Sequence, residues 1–181
     1  ATHPFATLAS GNIRAASLAV GAQCLRLARP VEALPKGVVS VASIACAARF
    51  LSENPGRVLL TTGSKELAPY TRVPDFAERF FVRVLPLPGA ITKCIDAGFS
   101  PSHVIGMQGP FTRELNEAML RQVGAQWLVT KDSGTVGGTA EKLAAARAVG
   151  ARCIVVTRPA EGGGALSLRE VEDTLLREFA R

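Results

Sequence analysis

Apolar positions along the chain switch repeatedly between a helical period and short continuous runs, and most of the switches fall at a glycine. A first helix is expected over residues 5–20, stopped by Gly21, with a short strand at 24–27. After the turn at 35–37, residues 38–41 read as a strand and 44–51 as a helix, ended by Asn54-Pro55-Gly56. Residues 58–61 have the length and apolarity of a buried strand, 79–85 alternate as another, and 91–97 form a helix closed by Gly98. Three similar units follow. A strand at 103–106 leads to a helix capped by Thr112 and ended by Gly124. A strand at 126–130 leads to a helix capped by Thr139 and ended by Gly150. A strand at 152–157 precedes Gly162-Gly163-Gly164 and a last helix opened by the capping box Ser167 and Glu170.

Strands joined by helices imply parallel pairing and right-handed crossovers, hence an α/β fold with helices on both sheet faces. The stop signal at 54–56 suggests a boundary between a first domain, 1–55, and a second, 56–181. Open sheets of this class take ligands beyond the carboxyl ends of their strands, where loops enter helix N-termini with free amides. Four polar clusters fall at such ends: Thr61-Thr62-Gly63-Ser64, Gly109-Pro110-Phe111-Thr112, Lys131-Asp132-Ser133-Gly134 and Thr157-Arg158. Together they suit a phosphate or carboxylate ligand, although each alone also reads as the cap or turn that any strand-to-helix connection needs. Lys131 carries two readings of its own. Its ammonium is a fixed charge or proton donor at the sheet edge, or it forms a local ion pair with Asp132.

Composition narrows the classes. The 181 residues are 48% hydrophobic and 20% charged, enough to bury a substantial core, and no window approaches the ~18 apolar residues that cross a bilayer. The expectation is a cytoplasmic protein without a membrane partner. Cys24, Cys46, Cys94 and Cys153 are widely spaced in apolar surroundings, and His3 and His103 lie far apart, so no metal-site spacing is present and the cysteines read as free thiols. Lys and Arg exceed Asp and Glu to give a net charge of +6, which favours an anionic partner. With 6% aromatic residues and no interleaving of basic and aromatic positions, nucleic acid is not the expected one. There is no GxSxG, GxGxxG or P-loop, and oligomeric state leaves no mark in the pattern.

Four stretches carry a resemblance: Ala1-Thr2-His3-Pro4-Phe5-Ala6, Leu60-Thr61-Thr62-Gly63-Ser64-Lys65-Glu66-Leu67, Gly109-Pro110-Phe111-Thr112 and Leu128-Val129-Thr130-Lys131-Asp132-Ser133-Gly134. In this order and spacing the chain resembles the precorrin-6A reductases of cobalamin biosynthesis, through Val155-Val156-Thr157-Arg158-Pro159. The resemblance implies two Rossmann-like domains with parallel sheets, the first incomplete because the family's first strand and glycine-rich phosphate loop precede this region. It implies NADPH as cofactor and reduction of one double bond in a tetrapyrrole bearing many carboxylates, a substrate suited to the net charge of +6. Thr2, His3, Thr61, Thr62, Gly63 and Ser64 would serve the cofactor. Gly109, Pro110, Phe111, Thr112, Lys131, Asp132, Ser133 and Gly134 would serve the substrate, with Lys131 the candidate proton donor. Two alternatives stand beside this: a cobalt-precorrin-6A reductase of the anaerobic branch, and a non-catalytic tetrapyrrole-binding fragment.

Overall fold

The computed structural model describes residue 5 and residues 7–27, 33–134, 137–158 and 165–179. The chain divides into two compact units, residues 1–32 with 158–181, and residues 33–157. In the first, helix α1 (Thr7–Ala19) and helix α7 (Leu168–Phe179) accompany a parallel pair of two-residue strands, β1 (Arg26–Leu27) and β8 (Ala165–Leu166). The capping box at the start of α7 is present: Ser167 N and Oγ both donate to Glu170 Oε2 at 2.7 Å, and Glu170 N donates back to Ser167 Oγ at 3.3 Å. These bonds hold the Glu170 carboxyl below its usual range.

The second unit is a six-stranded, wholly parallel sheet in the order β2-β7-β6-β3-β4-β5. Its strands are β2 (Val39–Val41), β3 (Val58–Leu60), β4 (Phe80–Val84), β5 (Val104–Gly106), β6 (Trp127–Lys131) and β7 (Arg152–Val156). The helices between them are α2 (Ile44–Glu53), α3 (Phe76–Arg79), α4 (Pro88–Asp96), α5 (Arg113–Gln122) and α6 (Thr139–Val149). Residues 55 and 56, where the sequence pattern places a boundary, lie inside this unit between α2 and β3. The edge strand β2 pairs with β7 far along the chain, Val39 with Ile154 and Val41 with Val156.

Side-chain alternation explains the layering, since successive residues of a strand face opposite sides. Leu59, Leu128 and Cys153 pack with Met119 and Leu120 of α5, with Val123 at its C-cap, and with Ala145 and Ala146 of α6, forming one core layer. On the other face, Phe80 meets Tyr70 and Phe76, and Phe76 meets Phe99 edge-on at 5.2 Å. β3 is buried at all three positions, as a central parallel strand must be. Trp127 is held at the foot of β6 by Phe50 edge-on at 5.3 Å, by its Nε1 donating to Pro55 O at 3.2 Å, and by the Arg152 guanidinium over its ring.

Two expected caps resolve differently. The Thr112 side chain accepts from Leu115 N at 3.3 Å and opens α5 as anticipated. Thr139 is instead the first residue of α6 and not its cap, because left-handed Gly138 takes the cap position and frees the Thr139 hydroxyl for Ser133. Strand 79–85 begins one residue late, since Arg79 closes the short α3, and helix 91–97 starts earlier, with Pro88 in its first turn.

Candidate functional site

From β3 the chain runs outward through β4 to β5, then returns to the other side of β3 to make β6 and β7. The carboxyl ends of β3 and β6 therefore flank the point where strand order reverses, which is where sheets of this class open a crevice. Two of the four polar clusters meet there. Thr61 N and Oγ1 both donate to Val129 O, at 2.8 and 2.9 Å, pinning the loop after β3 to β6. Lys131, the last residue of β6, sends Nζ to Glu66 Oε1 at 3.0 Å, so an ion pair spans the crevice between the two strand ends. The lysine side chain is 14% exposed and the glutamate 56%.

Within the 61–64 loop the groups divide by burial. Thr61 commits its hydroxyl to the sheet, and Thr62 Oγ1 is buried beside the Tyr70 hydroxyl, whose titration burial pushes strongly upward. Gly63, at φ 81°, has open space where a Cβ would stand. The amides of Gly63 and Ser64 and the Ser64 hydroxyl have no acceptor among the described residues. These three donors on an open left-handed turn fit an anionic or amide-bearing part of a cofactor. Thr2 and His3 lie outside the described residues.

The remaining predicted residues hold the loops in shape. Asp132 Oδ1 accepts from Gly134 N at 3.2 Å, and Asp132 N donates to Val156 O. Ser133 is buried, with its N and Oγ on Thr139 Oγ1. Gly109 and Pro110 are joined by a cis peptide. The carbonyls of Phe111 and Thr112 accept from Asn116 Nδ2. The Thr112 hydroxyl is taken up by its cap. Thr112→Ala is expected to lower the unfolding free energy by about 1 kcal/mol in urea titrations, with Thr112→Ser restoring it.

Sequence reasoning missed three charged residues that the fold brings to this end of the sheet. Glu66 lies within a stretch quoted for its resemblance, but only the β3–β6 adjacency shows that it faces Lys131. Arg83 on β4 is 5% exposed and Lys142 on α6 is 8% exposed. Arg83 Nη1 donates to Asn116 Oδ1 at 2.8 Å, and the Phe111 ring lies 3.8 Å from the guanidinium carbon. Lys142 Nζ donates to Gly137 O at 2.9 Å. Burial pushes the Arg83 guanidinium down to about 10. Burial and then the Arg83 charge push the Lys142 ammonium down to about 8, against a smaller upward pull from Glu141. The available signals were a charged residue at an inward strand position, and a lysine three and four residues before Ala145 and Ala146 on one helix face.

Among the described residues, no group of three His, Cys, Asp or Glu could hold a metal ion, and no helix is long and apolar enough to cross a membrane. All four cysteines are free, with Cys94 and Cys153 buried.

Comparison with known proteins gives the chain a family. The chain is 41% identical to the cobalt-precorrin-6A reductase of Methanothermobacter thermautotrophicus, over 88% of this chain and 53% of that protein. It is 36% identical to the enzyme of that name from Salmonella typhimurium, over 88% and 61%. To the precorrin-6A reductase of Rhodobacter capsulatus it is 30% identical, again over 88% and 61%. It thus spans 53–61% of the length of these curated relatives. A solved structure described as CobK precorrin-6A reductase superposes with a TM-score of 0.74 at 27% identity, covering 99% of this chain and 72% of that one. The family described as precorrin-6x reductase CbiJ/CobK matches residues 1–176, and the chain belongs to it.

Proposed function

We propose that this chain is the substrate-facing part of a precorrin-6A reductase, reducing one double bond of the precorrin-6A macrocycle to give precorrin-6B. The reaction adds a hydride to one carbon and a proton to its neighbour, and NADPH, when bound, supplies the hydride. The observation that carries the reading is the meeting of the Thr61–Ser64 loop with Lys131 at the reversal of strand order, in a chain matched to the reductase family over residues 1–176.

The chain's own groups take distinct parts. The Gly63 and Ser64 amides and the Ser64 hydroxyl bind the cofactor. Lys131, anchored by Glu66, holds a carboxylate of the macrocycle or delivers the proton at Nζ. Phe111, two strands beyond β3, offers an apolar surface to the ring system. Strands stand about 4.8 Å apart, so the edge from β6 to β5 spans roughly 14 Å, room for a flat macrocycle laid across it. Rate gain comes chiefly from aligning the two bound partners. The four free cysteines accord with a cytoplasmic setting.

A second reading is favoured by a specific observation: the relatives at 41% and 36% identity are cobalt-precorrin-6A reductases, whereas the precorrin-6A reductase of Rhodobacter capsulatus stands at 30%. Both readings are tested by following NADPH oxidation with metal-free and with cobalt-containing precorrin-6A. Turnover of the metal-free form at the higher kcat/KM supports the first, and preference for the cobalt form the second. Saturable tetrapyrrole binding without NADPH binding would leave only a non-catalytic tetrapyrrole-binding fragment.

A further inference from the structure

Arg83 and Lys142 come from different elements, β4 and α6, and both are more than nine-tenths buried at the carboxyl end of the sheet. Neither has an ion-pair partner among the described residues; their acceptors are the neutral Asn116 Oδ1, Met119 Sδ and Gly137 O. Two like charges withdrawn from water, close enough for one to depress the titration of the other, work against folding unless something else gains from them. The charged groups that act on Lys142 are Arg83 from β4 and Glu141 from its own helix, while α5 presents the neutral Asn116. Glu141 comes within ion-pairing distance of neither cation, and its Oε2 is buried without a hydrogen-bond partner.

The donors left over have a recognisable geometry. Phe111 covers the flat face of the guanidinium, which leaves the edge, where the N–H groups lie, as the direction of approach. Nε and Nη2 of Arg83 and two of the three Nζ protons of Lys142 find no acceptor among the described residues. A planar fork beside a point charge matches a carboxylate, which accepts two parallel bonds from the fork and one from the ammonium.

We infer that Arg83 and Lys142 form an anion recess that takes one carboxylate group of the ligand. The class of ligand, a polycarboxylate, rests on the reductase reading, but the recess does not. Phe111 holds Arg83 face-on while the edge engages, and Asn116 fixes the guanidinium from α5. Arg83 shares the face of Phe81 and Leu59, so the recess lies on the α5 and α6 side of the sheet.

The experiment uses the whole chain with tricarballylate as the probe, read by calorimetry and thermal shift against sodium chloride of equal ionic strength and against inorganic phosphate. Tricarballylate is expected to bind and raise the melting temperature. Lys142→Met should weaken binding at least tenfold, and Lys142→Arg should retain it. Lys142, lowered to about 8, gains a proton when the anion binds above that pH, so affinity should fall by up to tenfold per pH unit there in the wild type and stay flat in Lys142→Arg until Arg83 titrates at about 10. Failure of the wild type to bind, full affinity in Lys142→Met, or a pH profile unchanged by Lys142→Arg would each overturn the proposal. Preference for phosphate would overturn the carboxylate assignment. Should Arg83→Met not fold, the two Lys142 variants still decide. Anion binding that persists where NADPH-dependent turnover is absent would refute the reductase reading and leave the recess standing.

Discussion

Lys131→Ala is expected to lower kcat/KM for the tetrapyrrole by about a hundredfold, equivalent to about 2.7 kcal/mol of lost transition-state stabilisation. The argument starts from position. Lys131 ends a central strand beside the reversal of strand order, and Glu66 fixes its ammonium at 3.0 Å on the other lip of the crevice. With its side chain 14% exposed, it acts with less solvent screening than a surface lysine. The kinetic split identifies its part. A proton donor lost to alanine lowers kcat and kcat/KM together, and Lys131→Arg, which keeps the charge but not a transferable proton, would fail to restore kcat. A carboxylate anchor lost to alanine raises KM with kcat kept, and arginine would rescue it. Glu66→Gln is expected to change kcat/KM no more than a few-fold, because the glutamate is 56% exposed and pairs of that kind contribute about 0–1 kcal/mol. Steady-state NADPH oxidation measures all three variants. A Lys131→Ala enzyme within threefold of wild type removes the residue from the mechanism.

Much of the local structure was legible because its signals are local. Gly21, Gly98, Gly124 and Gly150 all take positive φ at or just after helix ends, and Ser167 with Glu170 forms the expected reciprocal cap. The parallel α/β class followed from the alternation of helices with apolar runs, and the loops at 61–64 and 131–134 were marked by polar residues after those runs. Strand order was not legible, since it is set by pairings between distant segments. Nothing in residues 38–41 says that they will lie beside 152–156, so the membership of β2 in the larger unit came only with the structure. The same non-locality hid Glu66, whose meaning depends on β3 lying next to β6. Arg83 and Lys142 were hidden for another reason: a charged residue is taken as solvated by default, and only the folded structure shows these two to be buried, Arg83 on β4 and Lys142 on α6. Several of the residues expected at the ligand also make bonds within the loops that carry them. Thr112 caps α5, Ser133 joins Thr139, and Thr61 gives its hydroxyl to Val129 O.

Arg79→Ala is expected to cost about 3 kcal/mol of stability, the largest loss for any single polar side chain outside the candidate site. Three nitrogens of one guanidinium reach four backbone carbonyls: Nε to Gly56 O at 3.0 Å, Nη1 to Pro74 O at 3.2 Å, and Nη2 to Leu51 O at 3.2 Å and Asn54 O at 3.0 Å. Leu51 and Asn54 belong to the last turn and cap of α2, where carbonyls lack helical partners and the helix dipole is negative. Gly56 opens the turn into β3, so one side chain ties the end of α2, the entry to the central strand and the turn before α3. Bonds from a charged donor are stronger than neutral ones, and truncation strands the acceptors in a half-buried setting; at about 1 kcal/mol for each of the three part-buried bonds the loss reaches the expected figure. For a chain of this length that corresponds to a fall of about 6–12 °C in Tm. Lysine, a single ammonium on a flexible stem, cannot span four carbonyls and should recover less than half. Arg113→Ala is the control, since Arg113 is 54% exposed and Glu117 keeps its pair with Arg121, so the loss should be less than about 1 kcal/mol. Urea unfolding followed by the fluorescence of Trp127, the chain's one tryptophan and bonded to Pro55 O beside this hub, reads all three variants. An Arg79→Ala midpoint equal to that of Arg113→Ala would mean that the four carbonyls are satisfied as well by water, and that the entry to β3 is held by the packing of Phe80 and Trp127 alone.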